Sequence, residues 1–191
     1  MILRTAAFIF LIFSMGKSLL MAQTFDVSIT QGGRAIPIEN GVVYLKQEPF
    51  VMHFSLNELE GVFLNCNRNA NIAYNAKNNK IPNFQQIGYL VGAEDPYNPD
   101  QDLIIHGNHS YSYWYYDPAD PAYKFDSVIS VKGSTVLATR SVKQFYEEGK
   151  NIPVSQVDAK FYLTVFSVSG SFIEANAKLE QVVMLQLIFE D

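Results

Sequence analysis

"KFYLTVFSV", residues 160–168, and "LEQVVMLQLIF", residues 179–189, decide the fold class. Both are dominated by branched, aromatic and other apolar side chains of the kind that pleated strands prefer. Working outward, "TFDVSIT" at 24–30 alternates Phe25, Val27 and Ile29 with polar neighbours, the period of a half-buried strand. "GVVYLKQ" (41–47), "PFVMHFSL" (49–56), "GVFLNCN" (61–67), "DLIIHG" (102–107), "SYSYWYY" (110–116) and "FDSVISV" (125–131) are similar runs. They are short and separated by Gly, Pro, Asn and Asp, which predicts an all-β chain. The expected architecture is a single-domain antiparallel β-sandwich, with a jelly-roll as one form of it, and one or two short helices. The last run reaches almost to Asp191, so that end is expected to pair in a sheet.

Two stretches carry helical signals. "SVKQFYEEG" at 141–149 places Ser141 and Gln144 in capping-box spacing, with Val142, Phe145 and Tyr146 on one face and Gly149 as a stop. Glu147 and Glu148 sit at the unfavourable end for the helix dipole. "SLNELEG" at 55–61 repeats the pattern over one turn. Asn65, Asn67, Asn69 and Asn71 occupy alternate positions, and in a strand those amides would share one face. Because Asn favours turns, the stretch 65–83 reads instead as a strand end entering a long loop.

The chain has 191 residues, enough for one domain with a substantial core. Arg4, an uncharged apolar run from Thr5 to Met15, and small Ala22 before a polar stretch have the layout of an export signal. The run is shorter than the roughly 20 residues of a spanning helix. Residues 1–22 are therefore expected to be a cleaved signal peptide and 23–191 the sandwich domain. The protein is expected outside the cytoplasm: periplasmic, on the cell surface or secreted. No second run is long enough to span a bilayer after cleavage. Loss of Arg4 and Lys17 would shift the formal net charge from -5 to -7. An acidic domain is a poor match for nucleic acid, whose phosphates want Lys and Arg. The lone Cys66 has no partner for an internal disulfide and reads as a buried thiol.

One segment differs from the rest. Residues 94–126 contain seven acids, Glu94, Asp95, Asp100, Asp102, Asp117, Asp120 and Asp126, against one base, Lys124. Four of the eight prolines and a dense set of aromatics lie there too. As a strand, its centre sets Tyr111, Tyr113 and Tyr115 on one face and Ser112, Trp114 and Tyr116 on the other. Rings with polar tips make interface anchors, and flat rings beside carboxylates can stack on a sugar and accept its hydroxyl hydrogen bonds. The candidate ligand-binding residues are Tyr111, Tyr113, Trp114, Tyr115, Tyr116 and Asp117. Asp95, Asn98, Asp100 and Asp102 place hard oxygens close together, as calcium requires, though without the EF-hand pattern. His106 and His109 are a weak zinc pair, which His53 would have to complete. No other cofactor is expected.

No nucleophile elbow, zinc-protease helix or phosphate loop is present in the sequence. The leading expectation is thus an exported, non-enzymatic binding protein or a structural protein of the envelope, with a protein or glycan partner at 94–126. The second is a glycan-binding module, with calcium assistance as one form of it. The third is a carboxylate- or metal-dependent hydrolase, since two carboxylates can be paired in space from any sequence distance. Arg140, set among apolar residues in "STVLATRSV", is expected to be buried along its stem and paired with an acid of 94–126, holding that segment to the domain.

Overall fold

Alternation of apolar and polar residues builds the strands. In the computed structural model, which describes residues 25–57, 61–79, 102–105, 112–115, 125–131, 135–169 and 178–190, the runs read above form β-structure almost throughout. The first half contributes β1 (Asp26–Gln31), β2 (Arg34–Ile36), β3 (Val42–Lys46), β4 (Phe50–Asn57), β5 (Gly61–Asn67) and the helix α1 (Ala70–Asn79). The middle contributes β6 (Leu103–Ile104), β7 (Ser112–Tyr115), β8 (Ser127–Val131) and β9 (Thr135–Val142). The remainder is β10 (Gln144–Glu147), β11 (Lys150–Pro153), β12 (Lys160–Ser169) and β13 (Lys178–Glu190).

Two five-stranded sheets pack as a sandwich. The first runs β2-β1-β4-β9-β8 with every neighbour antiparallel. The second runs β3-β13-β12-β5-β7, antiparallel except for β3 against β13. A small third sheet, β11-β10-β6, sets β6 parallel to β10. Ile105 joins it to the second sheet: it bridges Cys66, and its amide donates to the Tyr146 carbonyl at 2.8 Å. No barrel closes, so the expected sandwich class holds, with parallel pairings that local patterning did not reveal.

The inward positions of each strand make the core. Val27 and Ile29, Met52, Phe54 and Leu56, Leu163 and Val165, and Leu185 and Leu187 are all buried between the sheets. Each such side chain contributes about 1.5–3 kcal/mol of transfer free energy. β5 is buried along its whole length. Its Val62, Leu64 and Cys66 join the inter-sheet core, and α1 packs against β5 and β12. Thr164 Oγ1 donates to the Ala73 carbonyl at 3.3 Å, fixing the helix there. Gln31 fastens one rim: its amide donates to the carbonyls of Lys46 and Glu48 and accepts from the Lys46 amide, all within 3.0 Å.

Three local readings change. Residues 141–149 form no helix: Ser141 and Val142 finish β9, and β10 and β11 make a hairpin. Glu148 (φ 49°) and Gly149 (φ 82°) take the two left-handed positions that a tight hairpin turn needs. Pairing with β11 and β6 satisfies the β10 backbone and overrides the capping-box signal. The stretch 65–83 begins as the expected strand end, at Asn67 of β5, but 70–79 is helix where a loop was expected, and 80–83 lies outside the described residues. Asn67 Oδ1 accepts from the Asn69 amide, and Asn69 Oδ1 caps the helix by accepting from the Asn71 amide at 2.9 Å. The four asparagines therefore do not share one strand face: only Asn65 and Asn67 are in β5, and both are buried. In 55–61, Ser55–Asn57 extends β4, and 58–60 lies outside the described residues.

Candidate functional site

Arg140 lies on the inward side of β9, opposite Met52 of β4 and between Ala138 and Val142 on the same face, all three buried and apolar. A guanidinium there loses its water and needs compensating partners. The acidic segment supplies them. Arg140 Nη2 is 3.6 Å from Asp102 Oδ1, and Nη1 is 3.9 Å from Asp126 Oδ1. The guanidinium also stands over the Trp114 ring, 5.6 Å from its centroid. Asp102, Trp114 and Asp126 are separated in sequence and all belong to 94–126. The sequence reading expected a buried Arg140 paired with one acid of the segment; among the described residues it meets two acids and the Trp114 ring.

Each acid has further bonds. Asp102 Oδ2 accepts from the Lys143 amide at 2.6 Å and the Gln144 amide at 3.3 Å, at the crossover between β9 and β10. Burial pushes the Asp102 carboxyl above the usual carboxylate range, opposed by the Lys143 amide and by Arg140. Asp126 Oδ2 accepts from the Ser141 amide, and its own amide donates to the Thr139 carbonyl. The segment is also rooted by apolar burial. Leu103 and Trp114 are fully buried, and Phe125 is 5% exposed. Phe54 holds the last two together, edge-on to Trp114 at 6.0 Å and tilted against Phe125 at 5.6 Å.

This geometry corrects one candidate. Trp114 is a core residue at 0% exposure and cannot serve as an exposed anchor. The register Val62↔Trp114 points it with Val62 into the inter-sheet space. Its indole Nε1 is buried and has no hydrogen-bond acceptor among the described residues. Tyr113 and Tyr115 belong to β7, opposite Phe63 and Gly61. Tyr111, Tyr116 and Asp117 lie outside the described residues, as do Asp95, Asn98, Asp100, His106 and His109. Of the calcium candidates, Asp102 is described, and its carboxylate serves Arg140 and two amides. His53 meets Thr30 through Nε2 at 2.8 Å on the first sheet. Among the described residues no three His, Cys, Asp or Glu side chains cluster as metal ligands. Among them, too, no helix is long and apolar enough to cross a membrane.

Cys66 is buried, and burial raises its thiol above the ordinary range, so the sulfur is held protonated. The sequence reading missed a second arginine site. Arg68 gives a two-pronged bond to Glu147, Nε to Oε1 at 2.8 Å and Nη2 to Oε2 at 2.9 Å, and covers the Phe161 ring at 4.9 Å. The alternating asparagines just beyond it were a legible sign of helix capping. Nothing in the sequence pairs positions 68 and 147.

Comparison of the chain with protein-family models, with characterised proteins and with solved structures finds no match.

Proposed function

We propose that this is an exported, non-enzymatic binding protein or a structural protein of the cell envelope, with the segment 94–126 as its contact region. The observation that carries this reading is the attachment of Asp102, Trp114 and Asp126 to one buried arginine. Contact residues are commonly carried on connections that a rigid framework positions. Here the described parts of the segment are such a framework, and the intervening residues 106–111 and 116–124 hold Tyr111, Tyr116, Tyr123, Asp117 and Asp120. With Trp114 committed to the core, the contact role passes to Tyr111, Tyr113, Tyr115, Tyr116 and Asp117.

A photo-crosslinking side chain at Tyr116, introduced in the native host, tests this. A discrete protein adduct, competed by added purified chain, supports the reading. No adduct, together with a saturable Trp114 fluorescence response to one glycan in the presence of calcium, replaces it with the glycan-binding alternative. No adduct and no response to calcium, zinc or glycans contradicts a contact role for the segment.

A further inference from the structure

Asn40 and Gly41 are the one Asn-Gly pair in the sequence. They are the two central residues of a tight turn between Glu39 and Val42, whose backbones exchange two hydrogen bonds of 2.9 Å. Both take left-handed backbone, φ 53° at Asn40 and 79° at Gly41, the type I′ geometry that Asn-Gly favours. The turn is seated on the second sheet. The Gly41 carbonyl accepts from the Gln186 amide of β13 at 2.7 Å, and a Cβ on Gly41 would stand 3.1 Å from the Met184 carbonyl oxygen. Val42 then starts the parallel register of β3 on β13, opposite Gln186. Asn40 is exposed, and the two turn bonds use the amides of Glu39 and Val42, not that of Gly41.

We propose that Asn40 is a self-modification site of this chain, an amide that the closed turn holds unreactive and that forms a succinimide when the turn opens. The Gly41 nitrogen attacks the Asn40 Cγ, unshielded because glycine has no side chain. The N–Cγ bond forms, the Cγ–Nδ2 bond breaks, and the Gly41 amide proton leaves with Nδ2 as ammonia. Water then opens the ring. Cleavage at Cγ gives aspartate at position 40. Cleavage at the main-chain carbonyl gives isoaspartate, whose backbone runs through Cβ. Ring closure needs rotation about the Asn40 Cα–C bond to bring the Gly41 nitrogen beside Cγ. That rotation breaks the Glu39–Val42 bonds and pulls Gly41 off β13, so the closed turn forbids it. Local openings of this kind need less free energy than global unfolding, and they set the rate. Isoaspartate adds a backbone atom to a two-residue turn, which then cannot close in the same geometry. The change is therefore one-way, and it releases the start of β3 from β13.

The test is ageing of the purified chain at mildly alkaline pH, folded and in guanidinium chloride, with peptide mapping that separates aspartate from isoaspartate at position 40. In denaturant Asn40 should convert before any other asparagine. In the folded chain it should convert at least about tenfold more slowly than in denaturant. Chain aged in denaturant and then refolded should unfold at a lower temperature than fresh chain. Asn40→Gly keeps a residue suited to positive φ and removes the reacting amide. It should fold, and the same treatment should leave its unfolding temperature unchanged. Another asparagine converting first overturns the proposal, as do equal rates at Asn40 in the folded and denatured chain. An unfolding temperature that isoaspartate at position 40 leaves unchanged overturns it too, as does an equal loss in treated Asn40→Gly.

Discussion

Arg68 and Arg140 each cover an aromatic ring and each meets a carboxylate from a distant part of the chain. Below Arg68 lies a cluster in which Phe145 stacks on Phe161 at 4.5 Å and Phe189 meets both edge-on. Below Arg140 lies the cluster of Trp114, Phe54 and Phe125. By distance, Arg68 has the better partner: two bonds of 2.8 and 2.9 Å, against 3.6 and 3.9 Å for Arg140. By environment the order reverses. The Arg68 side chain is 43% exposed and that of Arg140 is 8% exposed. Water screens the first pair, and exposed pairs contribute only about 0–1 kcal/mol. The second has lost its water. Its Coulomb attraction, about 4 kcal/mol gross at an intermediate dielectric, mostly offsets the cost of burying the charges. Removing one member strands the others, so dependence on the pair is large even where its net contribution is small.

The largest expected effect follows from that asymmetry. Arg140→Met should lower the free energy of unfolding by about 3–5 kcal/mol, because it leaves Asp102 buried without its cation. Urea unfolding measures this, and a loss comparable to that of Arg68→Met would break the comparison. Asp102→Asn should cost less, about 1.5–2 kcal/mol at neutral pH, since the amide oxygen can still accept from Lys143 and Gln144. Asp126→Asn should cost about 1 kcal/mol, the carboxylate being more exposed and farther from the guanidinium. Glu147→Gln should cost the least, about 0.5 kcal/mol, and added salt should erase it.

Acid sharpens the contrast, because the two carboxyls are shifted in opposite directions. The Arg68 hydrogen bonds hold Glu147 below the usual carboxylate range. Its stabilisation is present above the unfolded-state pKa and is lost as pH falls through the folded-state value, so the cost of Glu147→Gln should vanish in acid. Asp102 is raised by burial, so the folded state holds its proton more tightly than the unfolded chain does. Stability from that source is full below the unfolded-state pKa and is lost as pH rises through the folded-state one. The cost of Asp102→Asn should therefore grow as pH is lowered through the carboxylate range. Parallel pH dependence in the two variants would contradict the assignments.

What the sequence made legible follows the range of each interaction. Strand alternation is local, and Phe25–Ile29 or Phe161–Val165 show it within a few residues. Arg140 was readable as buried and acid-paired, because a guanidinium amid Val136, Leu137, Ala138 and Val142 has few alternatives. Which acids it meets was not readable. That depends on β8 folding back on β9 and on the lysine crossover that Asp102 caps. Trp114 was misread because a tyrosine-rich strand shows the same alternation whichever face turns inward. α1 was missed because its asparagines weaken helix propensity, and capping by Asn69 with packing on β5 and β12 supplies what the sequence lacks.

The central claim is that Arg140 holds the acidic segment to the sandwich. Native-state hydrogen exchange on Arg140→Met, beside the unsubstituted chain, tests it most directly. The expected result is faster exchange at 102–105, 112–115 and 125–131, beyond the change in β12 and β13, together with a lower global stability. Unchanged protection in those three stretches, with unchanged unfolding free energy, would contradict it.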